Sequence, residues 1–564
     1  MRKLLIPLLV LAAASCSSVS EEPACPPHLE KTAGGTRLVV DGKPFLVLGC
    51  ELKNSSSSNK AYMEPVWQSL KETGVNTVIG SISWEQVEPE EGVFDFRAVD
   101  DMVLGARENG FKLIFIWFAS WKNGITSYTP VWVKRDPERF PLALTPEGKR
   151  LPILTTLSDA SAEADAKAFA ATMKHLREID GQEHTVLMIQ VENEVGLHGH
   201  TRDYHPLAVK AYGEAVPSGL LAYLSENEAS LLPETREAWE RAGKPAQGSW
   251  AEVFAPSDRA DEFFMAWHYA SYLDRVAAAG KAEYDLPVFV NAWIVQPEDS
   301  HPGNYPSGGP QAQCHDIWRA AGPHIDILSP DIYLPDYPSI LRMYSRSENP
   351  VFVPESRAGI QGAANAAFTF GEMGGIGYSP FGLDAAVDQP SNEPFYEFYR
   401  LAGTVSDRIL QAQSEGRICG AWLKGSDPFF VKDERVLGNW RICFELVSSG
   451  MRNGGAPQLT GGTYDPAAVG YAIVMDEGDG SLLVLGANVR VTFRPADGEG
   501  TVGLAKVTEG RFEDGQWVEG RWLNGDEIQL RYDLLYAVEE GVSGQGLNFG
   551  TPHPGLIRVE LFKY

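Results

Sequence analysis

Two segments of the chain end an apolar run on acidic residues. One is Leu187-Met188-Ile189-Gln190-Val191, which closes on Glu192-Asn193-Glu194. The other is Pro350-Val351-Phe352-Val353-Pro354, followed directly by Glu355-Ser356-Arg357. A strand this apolar does not ordinarily finish on carboxylates, which are costly to desolvate, unless a site uses them. Two carboxyls that face each other can divide one reaction between them. One stays protonated and gives its proton to a leaving oxygen, then takes a proton from water. The other stays ionised and attacks carbon. That is glycosidic-bond cleavage with retention, and it needs the two groups roughly 5–5.5 Å apart.

Such a pair must be held by elements on opposite sides of a cleft, and the chain supplies them. Eight short apolar runs read as strands: Phe45–Gly49, Thr77–Ser81, Leu113–Trp117, Val186–Val191, Val288–Asn291, Ile325–Leu328, Val351–Val353 and Gly375–Tyr378. Helical patterns lie between them, among them Met63–Thr73, Val99–Asn109, Ala162–Ile179 and Ala260–Ala282. Eight strand–helix repeats predict an α/β fold, a (β/α)8 TIM barrel over residues 36–406, with an insertion near 203–256. An open doubly wound sheet is the alternative, but no Gly-rich phosphate loop follows the first strand. In a barrel the reactive groups sit at the C-terminal strand ends. Glu194 and Glu355 end the fourth and seventh strands, Glu51 ends the first, and Tyr333 follows the sixth. Trp121 is a candidate to stack on a sugar face, with Trp117, Trp293 and Trp422 as alternatives.

After residue 407 the texture changes. Gly becomes frequent, and alternating runs such as Tyr471–Val474, Ser481–Leu485, Arg490–Arg494, Gly503–Glu509, Gln516–Trp522, Glu527–Tyr532 and Gly555–Leu561 are punctuated by Asn524-Gly525 and Asp514-Gly515. This predicts a smaller C-terminal all-β domain, of sandwich or barrel type, over 407–564. At 564 residues the chain is too long for one core. A net charge of −27 argues against nucleic acid as a partner and for a solvated surface. Residues 1–16 read as a lipoprotein signal peptide: Arg2 and Lys3, an apolar stretch Leu4–Ala14 too short to span a bilayer, then a lipobox-like Ala13-Ala14-Ser15-Cys16. Cys16 is the expected lipidation site, and residues 17–35 the expected tether. The expectation is therefore a bacterial cell envelope, with the membrane a partner through the lipid anchor alone. The other cysteines show no CxxC spacing, so neither a metal nor a cofactor is expected, and one or two disulfides are open. His198, His200 and His205 are read as loop residues rather than metal ligands. Oligomeric state, a homo-oligomer included, is not legible.

Gln190-Val191-Glu192-Asn193-Glu194 resembles the acid/base motif of glycoside hydrolase family 35, the β-galactosidases. Trp84, Glu88-Pro89 and Gly92-Val93-Phe94-Asp95-Phe96 resemble the stretch after the second strand in families 35 and 42. Glu509-Gly510-Arg511-Phe512 and Arg521-Trp522-Leu523-Asn524-Gly525-Asp526 resemble the β-domain of bacterial family 35 enzymes. The resemblance implies Glu194 as general acid/base and Glu355 as nucleophile. It implies Asn193 as donor to a sugar 2-hydroxyl and Tyr333 as hydrogen-bond partner of the nucleophile. The implied activity is exo-acting release of terminal non-reducing β-D-galactose, with retention, from glycans such as plant polysaccharide side chains. A β-glucosidase, an arabinopyranosidase or an endo-glucanase is the nearest alternative, and a non-catalytic glycan-binding lipoprotein a more distant one. The pattern departs from family 35 at the third strand: Phe118-Ala119-Ser120-Trp121 stands where the family has Cys-Ala-Glu-Trp, so one sugar-contacting carboxylate is missing.

Overall fold

The computed structural model describes residues 25–298, 300–346, 348–425, 431–447, 469–513, 515–525, 527–529 and 541–564. Cys16, the leader and the first part of the tether lie outside the described residues, as does half of the strand expected at Glu527–Tyr532. Eight parallel strands close into a barrel: β1 (Val47–Glu51), β2 (Thr77–Ser83), β3 (Lys112–Lys122), β4 (Val186–Asn193), β5 (Val288–Trp293), β6 (Ile327–Asp331), β7 (Phe352–Ser356) and β8 (Gly377–Pro380). The expected (β/α)8 barrel followed by an all-β region is what the chain forms. The strands read as continuous apolar runs because both of their faces are covered. Ile79, Ile114, Ile116, Phe118, Leu187, Phe289, Ile327 and Phe352 share one core cluster. Leu113, Phe115, Trp117, Ala119 and Trp121, on the other side of β3, belong to the larger cluster shared with the helices.

The N-terminal end departs from expectation. Residues 28–35 are not tether: His28–Thr32 pairs antiparallel with Gly35–Val40, which pairs with Lys43–Phe45. Leu38 and Val40 of this small sheet join the same cluster as Ile79 and Ile114, so burying them offsets the entropy of ordering the segment. The insertion is helical, with pieces at Pro206–Gly213, Ser218–Glu226, Pro233–Arg241 and Trp250–Phe254. Two long helices brace the site-bearing strands, α1 (Asp159–Asp180) and α2 (Asp258–Lys281). Each starts at a serine whose side chain accepts a backbone N–H, Ser158 and Ser257.

The C-terminal region is a two-sheet sandwich. After α3 (Gly359–Gly371), α4 (Glu393–Thr404) and α5 (Ser406–Ser414) come β9 (Ile418–Lys424), β10 (Lys432–Leu437), β11 (Trp440–Leu446), β12 (Val469–Asp476), β13 (Ser481–Ala487), β14 (Val489–Pro495), β15 (Val502–Glu513), β16 (Gln516–Trp522), β17 (Leu547–Phe549) and β18 (Gly555–Lys563). One sheet has the order β9-β12-β13-β18-β15-β16 and the other β10-β11-β14-β17. β14 alternates buried and half-buried residues, as a strand with one face in a core does. β12 and β13 are buried almost throughout. The reason is that their sheet has two apolar faces: Val474 and Val484 face the sandwich core, while Tyr471, Ile473, Leu483 and Leu485 join the barrel's helix-side core. α3 lies against this second face. Gly371 allows the approach, since a Cβ there would meet the Gly420 Cα at 3.2 Å and Ile473 at 3.1 Å.

The described cysteines, Cys25, Cys50, Cys314, Cys419 and Cys443, are all free thiols, so the disulfides left open by the sequence do not form among the described residues.

Candidate active site

The end of β4 is bent by two left-handed residues, Glu192 at φ 61° and Glu194 at φ 45°, an unusual conformation for a side-chain-bearing residue. The bend sends the two carboxyls in opposite directions. Glu192 turns back to β3 and accepts backbone N–H groups from Ser120 (2.9 Å), Trp121 (2.8 Å) and Ala119 (3.3 Å). Behind it stands Asp165 of α1, which accepts from Trp117 Nε1 (2.8 Å) and Ser120 Oγ (2.6 Å). The two buried carboxyls meet in a hydrogen bond, and burial lifts both above the ordinary carboxylate range, so one proton is held between them. Glu192 is thus a brace rather than a reactant.

Glu194 turns inward. Its backbone N–H donates to Asn291 Oδ1 at the end of β5 (2.9 Å). Asn291 in turn donates to Asn193 Oδ1 (3.1 Å) and to Asp331 Oδ2 at the end of β6 (2.7 Å). Asp331 pairs in register with Glu355 of β7. Carboxylate oxygens of Glu194, Asp331 and Glu355 all lie within 4.8 Å of one another. Burial raises Glu194 most, the charge of Glu355 raises it further, and its pKa is pushed up to about 7. Glu355 is also lifted by burial but is held back by the Tyr333 hydroxyl, which donates to its Oε1 at 2.6 Å, and by the Lys122 ammonium. Asp331 and Glu51 are raised well above the usual range, first by burial and then by the charge of Glu355, and stand as neutral acids. Glu194, lifted the more, is the better proton donor of the two and Glu355, held back by Tyr333 and Lys122, the more easily ionised, so the geometry can protonate on one side and attack from the other.

The sequence candidates fall into three groups. Glu194, Glu355, Tyr333 and Glu51 come together: Glu51 ends β1 inside the cluster, and its buried Oε1 has no protein partner. Asn193 sits beside them, buried, accepting from Gln190 Nε2 (3.1 Å) and donating to Asn123 Oδ1 (3.0 Å). Trp121 does not belong to the site. It is fully buried on the helix side of β3, edge-on to Tyr269 and Tyr272, with Nε1 donating to the Leu154 carbonyl. Trp117 is buried likewise, and Trp422 donates to Asn365 on α3. Of the four tryptophans named, Trp293 is the one at the rim, 38% exposed at the end of β5 and edge-on to His198. The three histidines do not converge: His205 caps a helix by accepting from the Leu207 N–H (3.3 Å), while His198 lies edge-on to Trp293. Trp84 and Glu88 tie the loop after β2, Glu88 accepting from Trp84 Nε1 (2.8 Å) and the Gly92 N–H (2.7 Å).

Asp331, Asn291 and Lys122 were missed by strand-end inspection. The predicted fifth strand stops at Asn291 itself, and the predicted third and sixth stop at Trp117 and Leu328, short of Lys122 and Asp331. Extending each run to its first turn signal exposes all three, since Asn123-Gly124 marks the true end of β3.

Replacing Tyr333 by Phe removes the donor that favours ionised Glu355. Its pKa then rises, so the acid limb of kcat/KM moves to higher pH, and kcat/KM falls by about 10- to 100-fold, the worth of a hydrogen bond to a charged group. A pH–rate profile with an unmoved acid limb would contradict that role.

A family model described as beta-galactosidase, that of glycoside hydrolase family 42, matches residues 54–273. The matched family is one of the two that the stretch after the second strand resembles. The match includes Glu194 and ends before Glu355. A second model, described as a domain of unknown function, matches residues 395–534. A beta-galactosidase of Xanthomonas manihotis is 28% identical over 222 residues, 37% of this chain and 34% of that protein. One of an Arthrobacter species is 26% identical over 191 residues, 33% of this chain and 25% of that protein. The chain thus spans about a third or less of the length of the curated relatives it matches. Among solved structures, a beta-galactosidase from Bacillus circulans sp. alkalophilus superposes with TM-score 0.43 at 14% identity, covering 65% of this chain and 57% of that one. The chain is therefore similar to beta-galactosidases across residues 54–273, the stretch that carries β2, β3 and β4 with Glu194 at its end.

Proposed function

We propose that the protein is a retaining, exo-acting glycoside hydrolase that releases terminal β-D-galactose from glycans. The observation that carries the proposal is the pair Glu194 and Glu355, with carboxylate oxygens within 4.8 Å, Glu194 pushed up to about 7 and Glu355 held back by the Tyr333 hydroxyl and Lys122. That gap fits the retaining geometry and is too short for an attacking water to sit between the two groups, as inversion requires.

Glu355, ionised and aimed by the Tyr333 hydroxyl, attacks the anomeric carbon. Glu194 protonates the departing oxygen. Once Glu355 is esterified its charge is gone, and with it the Coulombic part of the lift on Glu194. The Glu194 pKa then falls, so the same group takes a proton from the water that releases the sugar. Asn193, locked between Gln190, Asn123 and Asn291, is placed to donate to the sugar 2-hydroxyl, and Glu51 Oε1 to accept from another hydroxyl. The preference for galactose rests on the beta-galactosidase relatives.

A panel of p-nitrophenyl glycosides, with the product anomer followed by NMR, tests the whole reading. Fastest turnover on β-galactoside with initial release of β-galactose is expected. An inverted product would overturn the mechanism, and faster turnover of a β-glucoside or an α-arabinopyranoside would overturn the sugar assignment. Anchoring through Cys16 at the cell envelope is proposed alongside on the sequence, and Cys16→Ser should release the protein from the membrane fraction.

A further inference from the structure

Lys122 is half-buried at the C-terminal end of β3, paired in register with Asn193, the residue before the acid. A tight two-residue turn fixes it. The Lys122 N–H donates to the Ile125 carbonyl (2.8 Å) and the Ile125 N–H to the Lys122 carbonyl (3.0 Å), around Asn123 and Gly124, both left-handed. The Asn123 N–H donates to the Asn193 carbonyl (3.1 Å), so the turn is fastened to the strand bearing Glu194. It also packs on the loop that follows: a Cβ on Gly124 would lie 2.6 Å from His198 Cδ2 and 2.7 Å from the Gly196 carbonyl oxygen.

The ammonium at the end of this rigid mount has no hydrogen bond or ion pair within the described residues. Its one close contact is the Phe118 ring, 5.2 Å from Nζ to the centroid. Yet its charge is felt by Glu51 on β1, Glu194 on β4 and Glu355 on β7, so it stands among them. Among the described residues, Lys122 is the cation named as lowering all three. An ammonium held by a fixed turn beside three carboxyls, yet bonded to none of them, is left free to donate to a bound molecule.

We propose that Lys122 is a substrate-binding residue that donates to hydroxyl oxygens of the sugar held between Glu194 and Glu355. This rests on the glycoside hydrolase reading above. The crowding of carboxyls selects a neutral sugar over a uronate: oxygens of Glu194, Asp331 and Glu355 already lie within 4.8 Å of one another, with Glu51 beside them, so a sugar bringing a further carboxylate would meet like charge. The ammonium, which donates and cannot accept, complements Glu51 Oε1, which is free to accept, so the two can hold a sugar's hydroxyls between β1 and β3.

The test compares wild-type enzyme with Lys122→Met and Lys122→Gln on the best nitrophenyl glycoside and on its monodeoxy analogues. Activity of the wild type on the parent glycoside is established first, so failure of the hydrolase reading shows before any variant is made. Both variants should melt no lower than wild type, since an unpartnered charge is removed. Each should lose about 10- to 100-fold in kcat/KM on the parent sugar. One deoxy analogue should be penalised in wild type and not in the variants. The acid limb should also move to higher pH, because Glu355, which faces Tyr333, Asp331, Glu51 and Glu194 as well, loses a cation whose charge lowers it. Equal penalties for every deoxy analogue in wild type and variants, or unchanged kcat/KM, would overturn the assignment. Turnover of a galacturonide at or above the galactoside rate by wild type would overturn the choice of a neutral sugar.

Discussion

Glu355→Ala should lose roughly 10⁴- to 10⁶-fold in kcat, the scale seen when a covalent nucleophile is removed from a site that still binds substrate. The space left beneath the anomeric carbon would admit azide, and the product would be the α-glycosyl azide, opposite in configuration to the natural product. Glu194→Ala should behave differently in three respects. Substrates with good leaving groups need little protonation, so their glycosylation step should survive while unactivated substrates lose about 10²- to 10⁴-fold. Azide should rescue it with the β-configuration, because it enters from the acid's side and attacks the glycosyl–enzyme. The alkaline limb should also vanish. Glu194 works protonated and its pKa is pushed up to about 7, so wild-type activity falls as pH rises through that value. Removing the group removes the fall. The same azide stereochemistry from both variants would refute the division of roles.

The second large effect is on stability. Glu192→Leu strips acceptors from the backbone N–H groups of Ala119, Ser120 and Trp121 and leaves Asp165 without the partner that shares its proton. Orphaned buried donors cost about 1–3 kcal/mol each, and breaking a buried charged pair costs about 3–5 kcal/mol in all. The apparent melting temperature should drop by about 5–10 °C. Glu192→Gln should be much milder, since the amide oxygen still accepts and its NH2 donates to Asp165. Because the left-handed turn at Glu192 aims Glu194, the Leu variant should also lose kcat measured well below its own melting point. Equal stability of the Leu and Gln variants would show that the brace carries little of the load assigned to it.

Much of this site was legible from period and placement. Each of the eight runs lies in or beside a barrel strand, and the acidic ends of the fourth and seventh pointed to the two carboxyls. What failed did so for a physical reason. Trp121 was chosen by residue type, yet it shares the helix-side core with Trp117 and Ala119, while Ile114, Ile116 and Phe118 belong to the other cluster. Beyond Trp117 the register slips, which is why alternation alone does not place Lys122. The Glu192–Asp165 pair joins residues far apart in sequence through a shared proton, and no local pattern announces it. The strand His28–Thr32 reads as tether because Leu29 is its one large apolar side chain, and the partner that orders it, Gly35–Val40, comes only afterwards in the chain.

α3, which leads away from the strand bearing Glu355, is buried along most of its length between the barrel and the six-stranded sheet. Tyr471 of that sheet packs edge-on against Phe398 of α4, and Trp422 donates to Asn365 on α3. A (β/α)8 enzyme usually wears its outer helices against water, which lets accessory domains be gained, lost or exchanged without touching the chemistry. Here one outer helix has no polar face to show. The β region is consequently not an interchangeable module but part of the wall behind the strand that bears Glu355.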